Sequence, residues 1–199
     1  MCIRDSLFFD ADLDGALDLL VANGHIDDTV RNIRGNVGYA QAPHLFHNNG
    51  HGAFRDIARE VGGGFAAPKV ARGAACGDFD RDGDVDLLIA TNQGPAYLYR
   101  NDLTNGNRSI RLRLVGSKSN RDAIGAVVRL FTPDATQSRM VKTGSSYLSQ
   151  SELALTFGIG RRNRAERVTI EWPSGRVEEY KNVRPGEYEC LEEKGLTAL

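Results

Sequence analysis

The sequence predicts an all-β protein built from two unlike parts, and three observations lead to this prediction. In the first half, short apolar runs such as Leu87–Ala90 follow loops rich in Asp and Gly, as buried strands do. From Ser109 onward, apolar and polar residues alternate, which is typical of half-buried strands. Thirteen of the fourteen acidic residues within 1–100 are Asp, whereas nine of the twelve that follow are Glu. Because Asp favours loops, the first half is predicted to be organised around acidic loops.

Composition excludes several classes of protein. The 199 residues carry a formal net charge of -1, which does not suit a basic protein that coats nucleic acid. A hydrophobic fraction of 41% is enough for a core. The longest apolar runs have about four residues, whereas a membrane-spanning helix needs about 18. Cys2, Cys76 and Cys190 are too far apart in sequence to indicate a thiolate zinc site or a dense disulfide framework.

An internal repeat of the form DxDxDGxxDLL occurs twice in the first half, starting at Asp10 and at Asp78. A second shared segment follows each copy, Leu45–Asn48 after the first and Leu98–Asn101 after the second. The first interval is 15 residues longer than the second. We therefore predict an inserted surface loop within residues 24–43, which are rich in Gly, Asn and Asp.

Each copy of the repeat has the residue types of a calcium loop. Carboxylates at positions 1, 3, 5 and 9 surround a tight turn, Gly at position 6 permits a positive φ, and the carbonyl at position 7 adds an oxygen. Oxygen ligands without His or Cys favour calcium over zinc or copper. The predicted ligands are Asp10, Asp12, Asp14, Ala16 and Asp18 in the first loop, and Asp78, Asp80, Asp82, Asp84 and Asp86 in the second.

Acidic loops of this kind allow two other interpretations. An EF-hand needs Glu at position 12, where this chain has Val21 or Ile89, so the loops are predicted to join strands instead of helices. A single acidic turn could also be solvated without a metal. Two copies in the same register, with matching flanks, favour metal binding.

The repeats resemble FG-GAP/VCBS blades of β-propellers, with the eight repeat Asp residues on the calcium ligands of that motif. The second half resembles an ASPIC/UnbV domain, as in cartilage acidic protein-like proteins. This second resemblance rests on Asn120–Ala126, Gly144–Gln150 and Trp172–Gly175. Together, the two resemblances imply a partial β-propeller of about two blades followed by a small antiparallel β-sandwich or barrel. They also imply an extracytoplasmic, calcium-binding interaction protein.

The resemblance also predicts how the chain is divided. Residues 7–104 are expected to form the blades, residues 105–194 the second domain, and residues 195–199 a tail. Because a propeller closes with several blades, the chain is expected to be an N-terminally truncated fragment. Residues 1–6 show no signal-peptide features and are expected to be a non-native leader.

The strands of the second half are predicted from their alternation. Ile110, Leu112 and Leu114 share one face, while Arg111 and Arg113 lie on the other. Leu153, Leu155, Phe157 and Ile159 repeat the pattern, as do Val168, Ile170 and Trp172, then Tyr188 and Cys190, and Ala126–Phe131 is a further strand.

Four other features favour structural roles. His25, His44, His47 and His51 are interpreted as exposed loop and edge residues instead of a zinc cluster, and Cys76 as a core residue. Residues 145–151 are rich in Ser but have no nearby His in sequence, which disfavours nucleophilic hydrolysis. The basic residues Arg111, Arg113, Arg129, Arg161, Arg162, Arg164 and Arg167 are interpreted as a solvated strand face, with an anionic partner as the alternative.

The expected function is a non-catalytic, calcium-binding interaction or adhesion module with two Ca²⁺ sites, located outside the cell or in the periplasm. The expected partner is a protein or glycan, with no nucleic acid and no membrane span. The alternatives are the non-catalytic C-terminal part of a secreted enzyme and a calcium-dependent glycan-binding protein.

Overall fold

The computed structural model describes residues 6–199. Of the leader predicted at residues 1–6, residues 1–5 lie outside the described residues. Within this range the chain forms fifteen strands and one four-residue helix, which confirms the all-β prediction. The strands form four sheets, none of them closed. No helix in the described range has the length and apolar character needed to cross a bilayer.

The first sheet is a four-stranded antiparallel meander. Its strands follow one another in the order β1 (Ser6–Phe9), β2 (Asp18–Val21), β3 (His44–Asn48) and β4 (Phe54–Asp56). The inserted segment predicted between β2 and β3 contains the short helix α1 (Val30–Ile33). Each strand is short, as expected for runs of three to five residues between turns.

The second sheet repeats this arrangement with three strands, β5 (Ala71–Gly77), β6 (Asp86–Thr91) and β7 (Tyr97–Tyr99). The two sheets share one core, in which Phe9, Leu20 and Leu45 of the first pack with Ala74 and Ile89 of the second. Two open sheets that share a core fit two blades of a partial propeller.

The second half forms a sandwich of two four-stranded sheets. One sheet has the order β10-β9-β12-β13 and the other β11-β8-β14-β15. The strands are β8 (Arg108–Val115), β9 (Val127–Phe131), β10 (Thr136–Met140), β11 (Leu155–Gly160), β12 (Ala165–Glu171), β13 (Val177–Val183), β14 (Gly186–Leu191) and β15 (Gly195–Ala198).

The core between these sheets follows the predicted alternation. Ile110 and Leu112 from β8 are fully buried, and so are Val168 and Ile170 from β12. Trp172 is also buried in this cluster. Their burial fixes which face of each strand points inward, because a shift of one residue would exchange the two faces.

The sandwich differs from the predicted antiparallel arrangement in one pairing. β14 runs parallel to β8, with Tyr188 opposite Leu112. The cause is that β13 and β14 belong to different sheets, so the chain crosses between sheets at the turn instead of folding back as a hairpin. The predicted tail, residues 195–199, includes the edge strand β15, which pairs antiparallel with β14.

The two halves meet through backbone hydrogen bonds. The N–H of Glu152 donates to the carbonyl of Cys76 at 3.2 Å, along the edge of β5. The N–H of Gly160 donates to the carbonyl of Leu13 at 2.9 Å. Gly158 packs so closely that a Cβ there would lie 2.5 Å from the Leu13 backbone. The sandwich is therefore packed against the first acidic loop.

Candidate metal centres

Both acidic loops join strands, as predicted, and each connects the first strand of a sheet to the second. Residues 10–17 connect β1 to β2, and residues 78–85 connect β5 to β6. Each loop contains two left-handed residues, Leu13 (φ 59°) and Gly15 (φ 102°) in the first, Arg81 (φ 63°) and Gly83 (φ 97°) in the second. These tight turns draw the Asp side chains of each loop together.

The carboxylate at position 9 is held in the same way in both loops. Asp18 accepts hydrogen bonds from the N–H of Ala11 at 2.9 Å and of Asn48 at 2.7 Å. In the second loop Asp86 accepts from the N–H of Phe79 and of Asn101, both at 2.8 Å. The shared segments that end in Asn48 and Asn101 thus fix the acidic loops from the third strand of each sheet.

The carboxylate at position 1 is buried and only half satisfied. Asp10 is 3% exposed and Asp78 is 8% exposed. One oxygen of each, Oδ2, accepts from the N–H of Gly15 at 3.0 Å or of Gly83 at 3.2 Å. The other oxygen, Oδ1, has no hydrogen-bond partner within the described residues in either loop. A buried, unpaired carboxylate oxygen is costly, so both loops have the chemistry of a cation site.

The carboxylates of each loop lie close enough to share one ion. Oxygens of Asp10, Asp12 and Asp18 lie within 4.8 Å of one another. The same holds for Asp78, Asp80 and Asp86 in the second loop. All six residues are among the predicted ligands, and they occupy positions 1, 3 and 9 in both copies.

The remaining predicted ligands also make local contacts. At position 5, Asp14 accepts from the N–H of Ala16 at 2.7 Å, and Asp82 from that of Asp84 at 2.9 Å. The Asp84 side chain accepts from the N–H of Leu103 at 2.7 Å. Ligation through position 5 and through the carbonyls of Ala16 and Asp84 stays a prediction.

Residues 10–89 match the family model of the FG-GAP-like repeat, and residues 116–197 match the family model described as ASPIC and UnbV. Residues 10–89 are called the FG-GAP-like repeat below, and the second half of the chain is called the ASPIC and UnbV domain, after the models that they match. It is similar to cartilage acidic protein 1 of Homo sapiens, with 30% identity over 119 residues, which is 58% of this chain and 18% of that protein. The Mus musculus protein of the same name is 30% identical over 109 residues, or 53% of this chain and 17% of that protein. The chain thus spans less than a fifth of the length of these relatives.

The electrostatics of the FG-GAP-like loops follow from burial and like charge. Burial, followed by the neighbouring charges of Asp14 and Asp12, raises the pKa of Asp10 from 3.8 to about 7. Burial also raises the pKa of Asp18 and of Asp78. The folded loops therefore hold ionised carboxylates at a cost that a bound cation would remove.

His47 lies beside the first loop, which the sequence interpretation missed. Its Nε2 is 3.2 Å from Oδ2 of Asp12. His44 instead contacts Asp56 at 2.6 Å, on the other side of β3, so these two histidines do not converge. Arg100 occupies the equivalent position in the second copy, 3.9 Å from Asp80. The sequence could have shown this equivalence, because His47 and Arg100 each directly precede the Asn that ends the shared segment.

Arg111 of the ASPIC and UnbV domain is buried against the second loop, where the sequence predicts a solvated strand face. Its side chain is 12% exposed and lies 3.3 Å from Oδ2 of Asp78. It also pairs with Glu152 at 2.6 Å and Glu187 at 3.1 Å. The outward face of β8 is therefore covered by the FG-GAP-like repeat at this residue.

Other predicted face residues keep their expected role. Arg113, Arg129 and Arg167 pair with Glu189, Glu171 and Glu179 on neighbouring strands. These pairs lie on partly exposed strand faces, as the sequence predicts. Arg161 differs, because it donates to the carbonyl of Asn105 in the connection between the two halves.

That connection contacts both loops. The side-chain amides of Asn105 and Asn107 each donate to the carbonyl of Asp12 at 2.8 Å. The N–H of Leu103 donates to Asp84 of the second loop, and at the start of β8 the hydroxyl of Ser109 donates to the carbonyl of Gly83 at 3.1 Å. The acidic loops thus form part of the surface that the ASPIC and UnbV domain and the connection before it contact.

The motif residues of the ASPIC and UnbV domain hold its turns together. Asn120 exchanges two hydrogen bonds of 2.8 Å with the backbone of Ile124. Glu192 is fully buried and accepts from the hydroxyls of Ser119 and Ser174. Although burial opposes ionisation, backbone N–H groups at 117–119 and the Ser174 hydroxyl lower the pKa of Glu192 to about 2. Sequence reasoning missed this carboxylate, which joins three turns.

The Ser-rich segment is also used structurally. The hydroxyl of Ser151 accepts from the N–H of Cys76 at 3.1 Å and lies 3.0 Å from the hydroxyl of Ser145. Cys76 is half-buried beside it, whereas Cys190 is buried in the sandwich core, and both are free thiols. These contacts join the two halves of the chain.

Proposed function

We propose that this chain is a calcium-binding, non-catalytic interaction module that acts outside the cytoplasm and binds a protein or glycan partner. The observation that carries the calcium assignment is the buried, unpartnered Oδ1 atom of both Asp10 and Asp78. The same atom is left unpaired at the same position of two loops with matching hydrogen bonds. Because the unpaired oxygen recurs at the same position of both loops, it supports a type of ligand that both loops bind.

The donor set favours calcium over other metals. The clusters at positions 1, 3 and 9 contain carboxylate oxygens alone, which suit a hard cation. His47 offers a nitrogen beside the first loop, but the second loop has Arg100 at that place and cannot use it as a ligand. If both loops bind the same cation, that cation is therefore bound through oxygen atoms. The proposed ligands are the carboxylates at positions 1, 3, 5 and 9 and the carbonyls of Ala16 and Asp84.

Calcium would act on this fold by stabilising it. The unfolded chain offers no preformed site, so the ion binds the folded state selectively. With a dissociation constant in the roughly 10⁻⁴ to 10⁻³ M range of extracellular modules, calcium at about twenty times that constant adds about 2 kcal/mol per site. Because the ASPIC and UnbV domain contacts both loops, this stabilisation extends to the junction between the halves.

The extracytoplasmic location and the absence of catalysis are supported by the family matches and by the structural use of the Ser-rich segment. The longer relatives contain most of their length outside the matched region. The partner and the activity are therefore proposals, because the matched region is a small part of those relatives.

Thermal unfolding with and without calcium tests the proposal. The midpoint should rise in millimolar CaCl₂, fall with chelator, and respond less to MgCl₂, since magnesium dehydrates reluctantly and needs octahedral geometry. Asp82→Ala should remove the contribution of the second loop alone. An unchanged midpoint in 10 mM CaCl₂, about ten times the weakest expected dissociation constant, contradicts calcium binding.

A further inference from the structure

A cleft rich in arginine lies at one end of the sandwich, and one of its residues, Arg162, also lines a second cavity to which Asp14 of the first acidic loop contributes. The cleft has a volume of about 850 Å³ and opens to solvent. Its lining comes from the first residues of β8 and β12 and from three turns, those between β9 and β10, β11 and β12, and β13 and β14. We call it the arginine cleft, and its charged lining residues are Arg108, Arg162, Arg164, Arg184 and Glu166.

The charges of the arginine cleft are only partly used inside the protein. Arg162 pairs with Asp134, and Arg108 donates to the side chain of Asn163 at 2.9 Å. Within residues 6–199, the guanidinium groups of Arg164 and Arg184 make no hydrogen bond or ion pair, and both residues are exposed. Four guanidinium groups and one carboxylate share this cleft in a chain whose overall charge is -1. The positive charge is therefore local.

We propose that the arginine cleft binds an acidic polysaccharide through its carboxylate or sulfate groups. Guanidinium groups bind such planar or tetrahedral anions through paired, charge-assisted hydrogen bonds. The cleft volume is many times the roughly 30 Å³ that one water molecule occupies in the liquid, so the cleft has room for more than one anionic group. A polymer that repeats its anionic groups can contact several arginines at once.

The remaining lining residues favour a polysaccharide over other anionic partners. Pro133 and Pro185 are the apolar residues among those that line the cleft. A protein partner would need apolar or aromatic anchors at the centre of its interface. A single-stranded nucleic acid would need aromatic rings on which bases stack. The arginine cleft offers charge without either kind of anchor.

This inference rests on the interaction role proposed above but not on calcium, because none of the proposed metal ligands lines the arginine cleft. The two proposals can therefore fail separately. Binding to the cleft should persist in chelator, whereas calcium-dependent stabilisation should not.

The test measures binding of a heparin octasaccharide to the full chain by titration calorimetry, in chelator and again in calcium. The cleft variant is Arg164→Ala/Arg184→Ala. The matched control is Arg113→Ala/Arg121→Ala, which removes the same charge nearer the other end of β8, where Arg113 lies about 17 Å along the strand from Arg108. Because the side chains of Arg164 and Arg184 have no partner among residues 6–199, the cleft variant should unfold at the wild-type temperature.

We expect the cleft variant to bind the octasaccharide at least about tenfold more weakly, which is the loss of one charge-assisted contact. The control should stay within about twofold of wild type. Equal losses in both variants, or no wild-type binding in chelator, would overturn the proposal. Poly-Glu peptide or single-stranded DNA bound as tightly as the octasaccharide would overturn the assignment to a polysaccharide.

Discussion

Replacing Asp10 by Asn should change how the stability of the metal-free protein depends on pH. Burial and the adjacent Asp residues raise the pKa of Asp10 from 3.8 to about 7 in the folded state. The folded protein thus holds this proton more tightly than the unfolded chain. The group favours folding most below about pH 4, and that contribution is lost as pH rises through about 7.

The size of the effect follows from the two pKa values. Each pH unit of difference is worth about 1.4 kcal/mol, so Asp10 alone accounts for a loss on the order of 4 kcal/mol between about pH 4 and pH 8. The Asn side chain cannot ionise, so Asp10→Asn should remove that share of the dependence of the unfolding free energy on pH. Other buried acids, such as Asp18 and Asp78, contribute to both proteins, so the informative quantity is the difference between them.

Urea unfolding of calcium-stripped protein at pH 5, 6, 7 and 8 measures this difference. The stability of the wild type should fall relative to Asp10→Asn as pH rises. Exposed Asp28 provides the control, since Asp28→Asn should leave the wild-type slope unchanged. If Asp10→Asn and wild type show parallel pH profiles, the account of a buried, unpaired carboxylate in the first loop is wrong.

Two further predictions concern the junction of the two halves. Arg111→Met should cost about 3 kcal/mol in metal-free urea unfolding, because it leaves the buried carboxylate of Asp78 without its cation and removes the partner of the partly exposed Glu152 and Glu187. Exposed Arg113→Met should cost less than about 1 kcal/mol. Calcium should recover part of the Arg111→Met loss, and a loss no larger than that of the control would contradict the buried role. Gly158→Ala should destabilise by about 2 kcal/mol or more, since its Cβ would overlap the backbone of the first loop, whereas Gly35→Ala meets no atom within 4 Å and should be neutral. Equal thermal midpoints for these two variants would show that the junction is not tightly packed.

The loops could be predicted from sequence because their geometry is local. The Gly at position 6 and the Asp spacing determine the turn, and Gly15 and Gly83 adopt the positive φ that the pattern requires. The matching segments ending in Asn48 and Asn101 were visible as a repeat, although their role in fixing the position-9 carboxylate was not. Alternation likewise predicted the sandwich core, since burial follows the two-residue period of a strand.

The features missed from sequence depend on contacts between distant residues. Alternation places Arg111 on the outer face of β8 correctly, but it cannot show that the second loop covers that face. His47 meets Asp12 across 35 residues of chain, which includes an inserted segment. The parallel pairing of β14 with β8 depends on which sheet the chain enters after β13, and no local pattern encodes that choice.

The measurement that tests the central claim most directly is the number of calcium ions bound per chain, determined by equilibrium dialysis with ⁴⁵Ca. We expect two sites in the wild type and one in each of Asp10→Asn and Asp78→Asn, because each variant removes the buried carboxylate of one loop. Circular dichroism should confirm that both variants keep the β-sheet signal. No saturable binding by the folded wild type up to 10 mM free calcium would contradict the account.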